Sequence, residues 1–157
     1  MRIRRATGND LGELQRTIFS RMSLAELRAA AEQFNRPPHS IQIIAENDLG
    51  EIIASCNLIR ESHRMRRHRA EIGGFVITPG YRGSGLARRM IDYLARYARQ
   101  EWDVEILDVA CRGGTPAERA YRGLGFAEWA RLPGGYHDHD AIYDEVRLYR
   151  PVPPLDQ

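Results

Sequence analysis

The spacing of apolar positions along this chain changes several times, and each change marks an element. Residues 2–6 alternate as a short strand, after which Asn9 or Asp10 can cap a helix carrying Leu11, Leu14, Gln15 and Ile18 at three- and four-residue intervals. A second helix is expected over 23–34: Ser23 is followed three residues later by Glu26, the spacing of a capping box, and RPPHS at 36–40 ends it. Two apolar runs, IQIIAE at 41–46 and EIIASCNLI at 51–59, flank the turn-forming NDLG and predict a hairpin. AEIGGFVITP at 70–79 restores the strand pattern and stops at Pro79.

From Gly85 the period becomes helical. Leu86, Met90, Leu94 and Ala98 form one stripe with Ala87, Ile91 and Ala95 beside it, while Arg88, Arg89, Asp92, Arg96 and Arg99 take the other side. VEILDVACR at 104–112 reads as a further strand, and PAERAYRGLG at 116–125 as a short helix that opens on proline and closes on glycine. FAEWARL at 126–132 and YDEVRLYRPV at 143–152 supply two last strands. The order is mixed α/β, of the α+β kind, without internal repeats. At 157 residues and 43% apolar side chains, one domain over 1–150 is expected, with 151–157 as a C-terminal tail.

Charge adds little. All 23 basic residues are arginine, and against 21 acids they leave a net charge of +2, which makes no global case for nucleic acid or membrane as a partner. The arginine-rich run 60–69 has no interleaved aromatics to stack bases and reads as a solvated basic edge. The first ten residues turn polar before a signal-peptide core could form, and no apolar run would span a bilayer, so a cytoplasmic location is the expectation. Cys56 and Cys111 are too few for a structural zinc site and are expected as small core residues.

The densest chemical signal is TPGYRGSGLARRM at 78–90: a strand, Pro79, then Arg82, Gly83, Ser84 and Gly85, then a helix. A glycine turn at a helix N-terminus leaves backbone N–H groups and the positive end of the dipole for an anion, phosphate above all. A Walker loop needs a lysine, and the chain has none. A dinucleotide fingerprint needs a third glycine where Arg88 stands. The pattern (Arg or Gln)-x-x-Gly-x-(Gly or Ala) is met by Arg82, Gly85 and Ala87, and here the chain resembles the GNAT superfamily of N-acetyltransferases.

PAERAYRGLGF at 116–126 is similar to a second signature of that family, a helical tyrosine four residues before a Gly-Phe pair, in the expected order about 40 residues on. The resemblance implies a central mixed, mostly antiparallel sheet of about seven strands flanked by about four helices, the GNAT fold. It implies acetyl-coenzyme A as co-substrate, with the amides of Gly83, Ser84, Gly85, Leu86 and Ala87 and the charge of Arg82 on its diphosphate, and Val76 and Ile77 along the pantetheine arm. Many members carry an asparagine before the tyrosine helix where this chain has RGGTP. HRAE at 68–71 and PGGY at 133–136 are similar to a branch of resistance-type enzymes that acetylate small amines.

A thioester is already activated, so the obstacle is the acceptor: with a pKa of ~10.4, only about one amine in 10³ is neutral at pH 7. A base is useful there, and the departing thiolate benefits from a proton donor. By resemblance Tyr121 is the donor and also a cofactor contact, and Glu71, on the strand that leads to the loop, is the preferred base. Strand alternation turns Glu71, Gly73 and Phe75 to one face. Asp108, a lone acid within ILDVA, competes with Glu71, since burial would raise its pKa.

Cys111 raises a covalent route without an evident histidine neighbour. In YHDHD at 136–140, His137 and His139 would share a face of a strand, but no third ligand is indicated and the preceding PGG predicts a loop, so no metal is expected. Asp138, Asp140, Asp144 and Glu145 could draw a cationic acceptor. The expected activity is direct acetyl transfer in a ternary complex to the primary amine of a small molecule. A protein or peptide acceptor, a coenzyme A binding domain without turnover, and a metal-dependent hydrolase are the alternatives, and edge strands allow a homodimer.

Overall fold

In the computed structural model, which describes residues 1–155, the chain forms one seven-stranded sheet with four α-helices among the described residues. The strands are β1 (Arg2–Arg5), β2 (Ser40–Glu46), β3 (Ile52–Arg60), β4 (Arg69–Ile77), β5 (Ile106–Arg112), β6 (Ala127–Asp138) and β7 (Ala141–Pro151). The helices are α1 (Leu11–Thr17), α2 (Leu24–Phe34), α3 (Leu86–Trp102) and α4 (Pro116–Gly123). Spatial order is β1-β2-β3-β4-β5-β7-β6, with every pair antiparallel except β4 and β5.

The expected cap of α2 is present, whereas Asp10 at the start of α1 makes no side-chain cap bond and instead accepts from Arg4 and the Thr7 amide. Ser23 Oγ accepts from the Glu26 amide at 3.0 Å, while Glu26 Oε1 accepts from the Ser23 amide at 3.3 Å, so two otherwise unpaired donors of α2 are satisfied. Leu86, Met90, Ile91, Leu94 and Ala98 of α3 are essentially fully buried and pack with Leu107, Val109, Val146 and Leu148 on one face of the sheet. Each large side chain so buried contributes about 1.5–3 kcal/mol. On the other face Leu14 of α1 and Leu27 of α2 close a second cluster over Ile44 and Ile52. No helix among the described residues is long and apolar enough to cross a membrane.

Two expectations change. Tyr136, His137 and Asp138 are not in a loop: they continue β6 and pair with Tyr143, Ile142 and Ala141, leaving His139 (φ +53°) and Asp140 as the turn. The PGG at 133–135 is a bulge inside β6, where the register shifts between Leu132 and Tyr136. The tail also starts later than position 151. Pro151 pairs with Ile106, and the buried Val152 donates its N–H to Glu105 O at 2.8 Å. Residues 156–157 of that expected tail lie outside the described residues.

The feature that positions the site is a split in the sheet. β4 and β5 pair only from Arg69↔Ile106 to Ile72↔Val109, although both run on beyond that point. Past Ile72, β4 stays with β3 through a bulge that carries the register from Asn57↔Gly73 to Ser55↔Val76. Gly74 sits there at φ +56°, a conformation that glycine adopts without strain. The β5-facing backbone edge of residues 73–77 therefore has no sheet partner.

Candidate active site

The end of β4 is tethered before the glycine loop begins. The Thr78 amide donates to Ile53 O at 2.9 Å, a 3-10 turn follows at Pro79–Tyr81, and Arg82 Nε donates to Ile77 O at 3.2 Å. Ser84 Oγ donates to Tyr81 O at 2.6 Å. Gly83 at φ +76° and Gly85 at φ +83° turn the chain into α3, with open space where their side chains would be. Gly85 is the N-cap, so no cap side chain takes up the amides of the first turn. Leu86 turns its side chain into the core, which leaves only its backbone for a ligand. Loop and helix end together present exposed backbone amides of the kind that can take an anion.

The split itself holds a cavity of about 260 Å³, lined among others by Gly73, Gly74, Phe75, Cys111, Tyr121 and Tyr136. Tyr121 of α4 is fixed edge-on between Phe75, at 6.4 Å between ring centres, and Phe126, at 5.7 Å. Burial pushes its phenol up, with smaller contributions from Cys56 and Cys111, so the proton stays on at neutral pH. Where the family pattern has asparagine, Thr115 Oγ1 donates to Arg112 O at 2.6 Å and Glu118 accepts from the Gly114 amide at 3.0 Å, which holds the start of α4.

A second cavity of about 400 Å³ lies on the α1–α2 side of the sheet, lined in part by Phe19, Met22, Phe34, Asn57, Ile59 and Glu71. Both cavities share Ile72, Gly73 and Gly74. Glu71 thus faces one and Tyr121 the other, with the β4 bulge between them. Burial raises the Glu71 carboxyl above its ordinary value. Arg147, 3.9 Å away, opposes this, while Glu61, Asp108 and Glu145 add to it.

Asp108 is placed differently. It is buried, its Oδ2 accepts from Arg69 Nε at 2.9 Å, and it lines a separate cavity with Met65, Trp129 and Tyr149. Cys111 reaches the split, but burial raises its thiol pKa, the wrong direction for a nucleophilic thiolate. Of the acids in the 138–145 stretch, Asp138 pairs with Arg112 at 3.1 Å and Asp144 with Arg131 at 3.0 Å, both at the surface.

Sequence reading missed Asn57. Asn57 lies across the bulge, its Oδ1 2.9 Å from where a Gly73 side chain would begin and its Nδ2 2.9 Å from that of Gly74. The paired glycines were the visible signal, and their cause lies on another strand.

A family model described as Acetyltransferase (GNAT) family matches residues 9–126, more than half of the chain. The chain belongs to the GNAT acetyltransferase family. The GNAT fold is shared over the whole domain with solved structures. A spermidine N-acetyltransferase from Vibrio cholerae in complex with CoA and spermine superposes at TM-score 0.79, with 19% identity over 96% of this chain and 95% of that one. A candidate phosphinothricin N-acetyltransferase gives TM-score 0.79 and 19% identity over 97% of this chain and 98% of that one. No curated protein matches the chain in sequence. As a GNAT member it is an acetyl-coenzyme A dependent N-acetyltransferase.

Proposed function

We propose that this enzyme moves an acetyl group from acetyl-coenzyme A directly to the primary amine of a small molecule, with Glu71 as base and Tyr121 as acid. The observation that carries the reading is the meeting of two cavities at Ile72–Gly74, with the raised carboxyl of Glu71 in one and the neutral phenol of Tyr121 in the other. The co-substrate brings an activated thioester. The loop fits its diphosphate: amides from Gly83 to Ala87 and the Arg82 charge supply donors, and glycine φ angles keep the backbone accessible.

The unpaired β4 edge, including Val76 and Ile77, offers backbone partners to the pantetheine amides and an N–H to the thioester carbonyl. Glu71, directly or through water, removes a proton from the ammonium, since only the neutral amine attacks. Tyr121 returns a proton to the departing sulfur. Asp108 is the weaker candidate for base because Arg69 already occupies its carboxylate. The bound spermine of the structurally similar Vibrio cholerae enzyme supports a small amine as acceptor.

The test is release of free thiol from acetyl-coenzyme A across a panel of amines. Amine-dependent release that falls sharply in Tyr121→Phe supports the reading. Tight binding of coenzyme A with no release for any amine overturns it in favour of a binding domain without turnover.

A further inference from the structure

The acceptor cavity also carries information about which amine it takes, an inference that rests on the acetyl-transfer reading above. Its wall is apolar: Phe19, Met22, Leu27, Phe34 and Ile59 come from the α1–α2 connection, α2 and β3. Among the described residues, Glu71 is the one charged residue in its lining. Of the two neutral polar groups, the Gln42 amide is engaged with Ser55 Oγ at 2.8 Å, while Asn57 Oδ1 is buried and accepts no hydrogen bond among the described residues. At about 400 Å³ the cavity stands near the small end of the ~300–1,000 Å³ range of ligand sites.

We infer that the acceptor is a primary monoamine with an uncharged, apolar body of arylalkyl or branched-alkyl type, its ammonium at Glu71 and its body among Phe19, Met22, Phe34 and Ile59. The charge distribution selects for this class. One cation is wanted beside Glu71, the one charged residue among the described lining residues. A second ammonium, as in a polyamine, would have to sit against aromatic and aliphatic carbon without a counter-charge.

An α-carboxylate would meet Glu71, with no basic residue among the described lining residues to receive it. The nearby Arg147 is already bound through Nε to Glu145 at 2.8 Å and does not line the cavity. Sequence alone could not show this, because the wall is assembled from residues far apart in the chain.

The experiment compares kcat/KM for 2-phenylethylamine, spermidine and phenylalanine on the wild-type enzyme with saturating acetyl-coenzyme A. The expected result is at least tenfold preference for 2-phenylethylamine over both others. Equal or better turnover of spermidine or phenylalanine overturns the inference and leaves acetyl transfer standing. Absence of thiol release with every amine removes the acetyl-transfer reading, and the inference with it.

A second arm uses Phe34→Ala. Phe34 stands outside the buried core clusters, so the fold is expected to survive, as thermal melting will show. KM for 2-phenylethylamine should rise about ten- to a hundredfold with kcat changed much less. An unchanged KM in a folded variant overturns the inference. Should the variant not fold, the wild-type amine ranking decides alone.

Discussion

Glu71 and Asp108 stand opposite each other in the parallel β4–β5 register, yet only Asp108 holds an arginine at hydrogen-bond distance. Arg69 Nε lies 2.9 Å from Asp108 Oδ2, whereas Arg147 stays 3.9 Å from Glu71 and gives its Nε to Glu145. One carboxylate is committed to structure, and the other is left facing the cavity on the α1–α2 side of the sheet. Glu71→Gln should therefore lower kcat/KM by about 10²–10⁴-fold. Asp108→Asn should change kcat by less than about tenfold while costing about 1–3 kcal/mol of stability, because Arg69 keeps its charge and loses its partner. Thiol-release kinetics and denaturant unfolding separate the two.

The pH profile should report the same group. Burial raises the Glu71 carboxyl in the folded enzyme, and the base must be deprotonated, so kcat/KM should begin to fall above the usual Glu value of ~4.3 as pH is lowered. Glu71→Gln should lack that limb, leaving only the titration of the amine. The sign for stability is opposite to that of a salt-bridged acid. A raised folded pKa means the native state holds its proton longer, so this group costs stability as pH rises through the folded value. Glu71→Gln should melt higher than wild type at pH 8, with the difference gone well below the usual Glu value.

Tyr121→Phe keeps the ring that packs against Phe75 and Phe126 and removes only the hydroxyl. Melting temperature and coenzyme A affinity should stay close to wild type, with kcat down about 10²-fold or more. A large loss of affinity with kcat intact would assign the hydroxyl to binding instead.

Gly85→Ala tests the anion cradle through the backbone alone. No neighbour lies within 4 Å of the added methyl group, but φ is +83°. Holding alanine there costs about 1–2 kcal/mol, or tilts the first turn of α3 away from its ligand. KM for acetyl-coenzyme A should rise several-fold while KM for the amine stays put, as a two-substrate kinetic matrix would show.

Gly73→Ala acts by contact. Its methyl group would meet Asn57 Oδ1 at 2.9 Å, so the single variant should lose about 1–3 kcal/mol, and adding Asn57→Ala should recover part of that loss. Additive losses in the double-mutant cycle would mean the two side chains do not share this space.

Element order, the Ser23–Glu26 cap and the glycine turn before α3 were legible in the chain because each rests on local constraints. The stripe Leu86, Met90, Leu94 and Ala98 specifies which face of α3 is buried whatever covers it. Gly83 and Gly85 mark positive φ before any tertiary contact exists. The YHDHD stretch misled for a similarly physical reason. The PGG before it signals a turn, but inside a long hairpin the same residues form a bulge, and the cross-strand ladder with β7 carries β6 on to Asp138.

By itself, then, the sequence determined the fold of a GNAT acetyltransferase and the conformation of its glycine loop, since periodicity, capping and glycine conformation are written into neighbouring residues. Only the tertiary structure decided which acid is free, which side chain the paired glycines lie against, and what lines the cavity that Glu71 faces. Glu71 and Asp108 look alike in sequence, and they differ because Arg69 reaches one and not the other. Gly73 and Gly74 answer to Asn57 on the adjacent strand. The wall of that cavity brings together Phe19, Phe34 and Ile59. Each of these depends on contacts between distant segments, which no local pattern encodes.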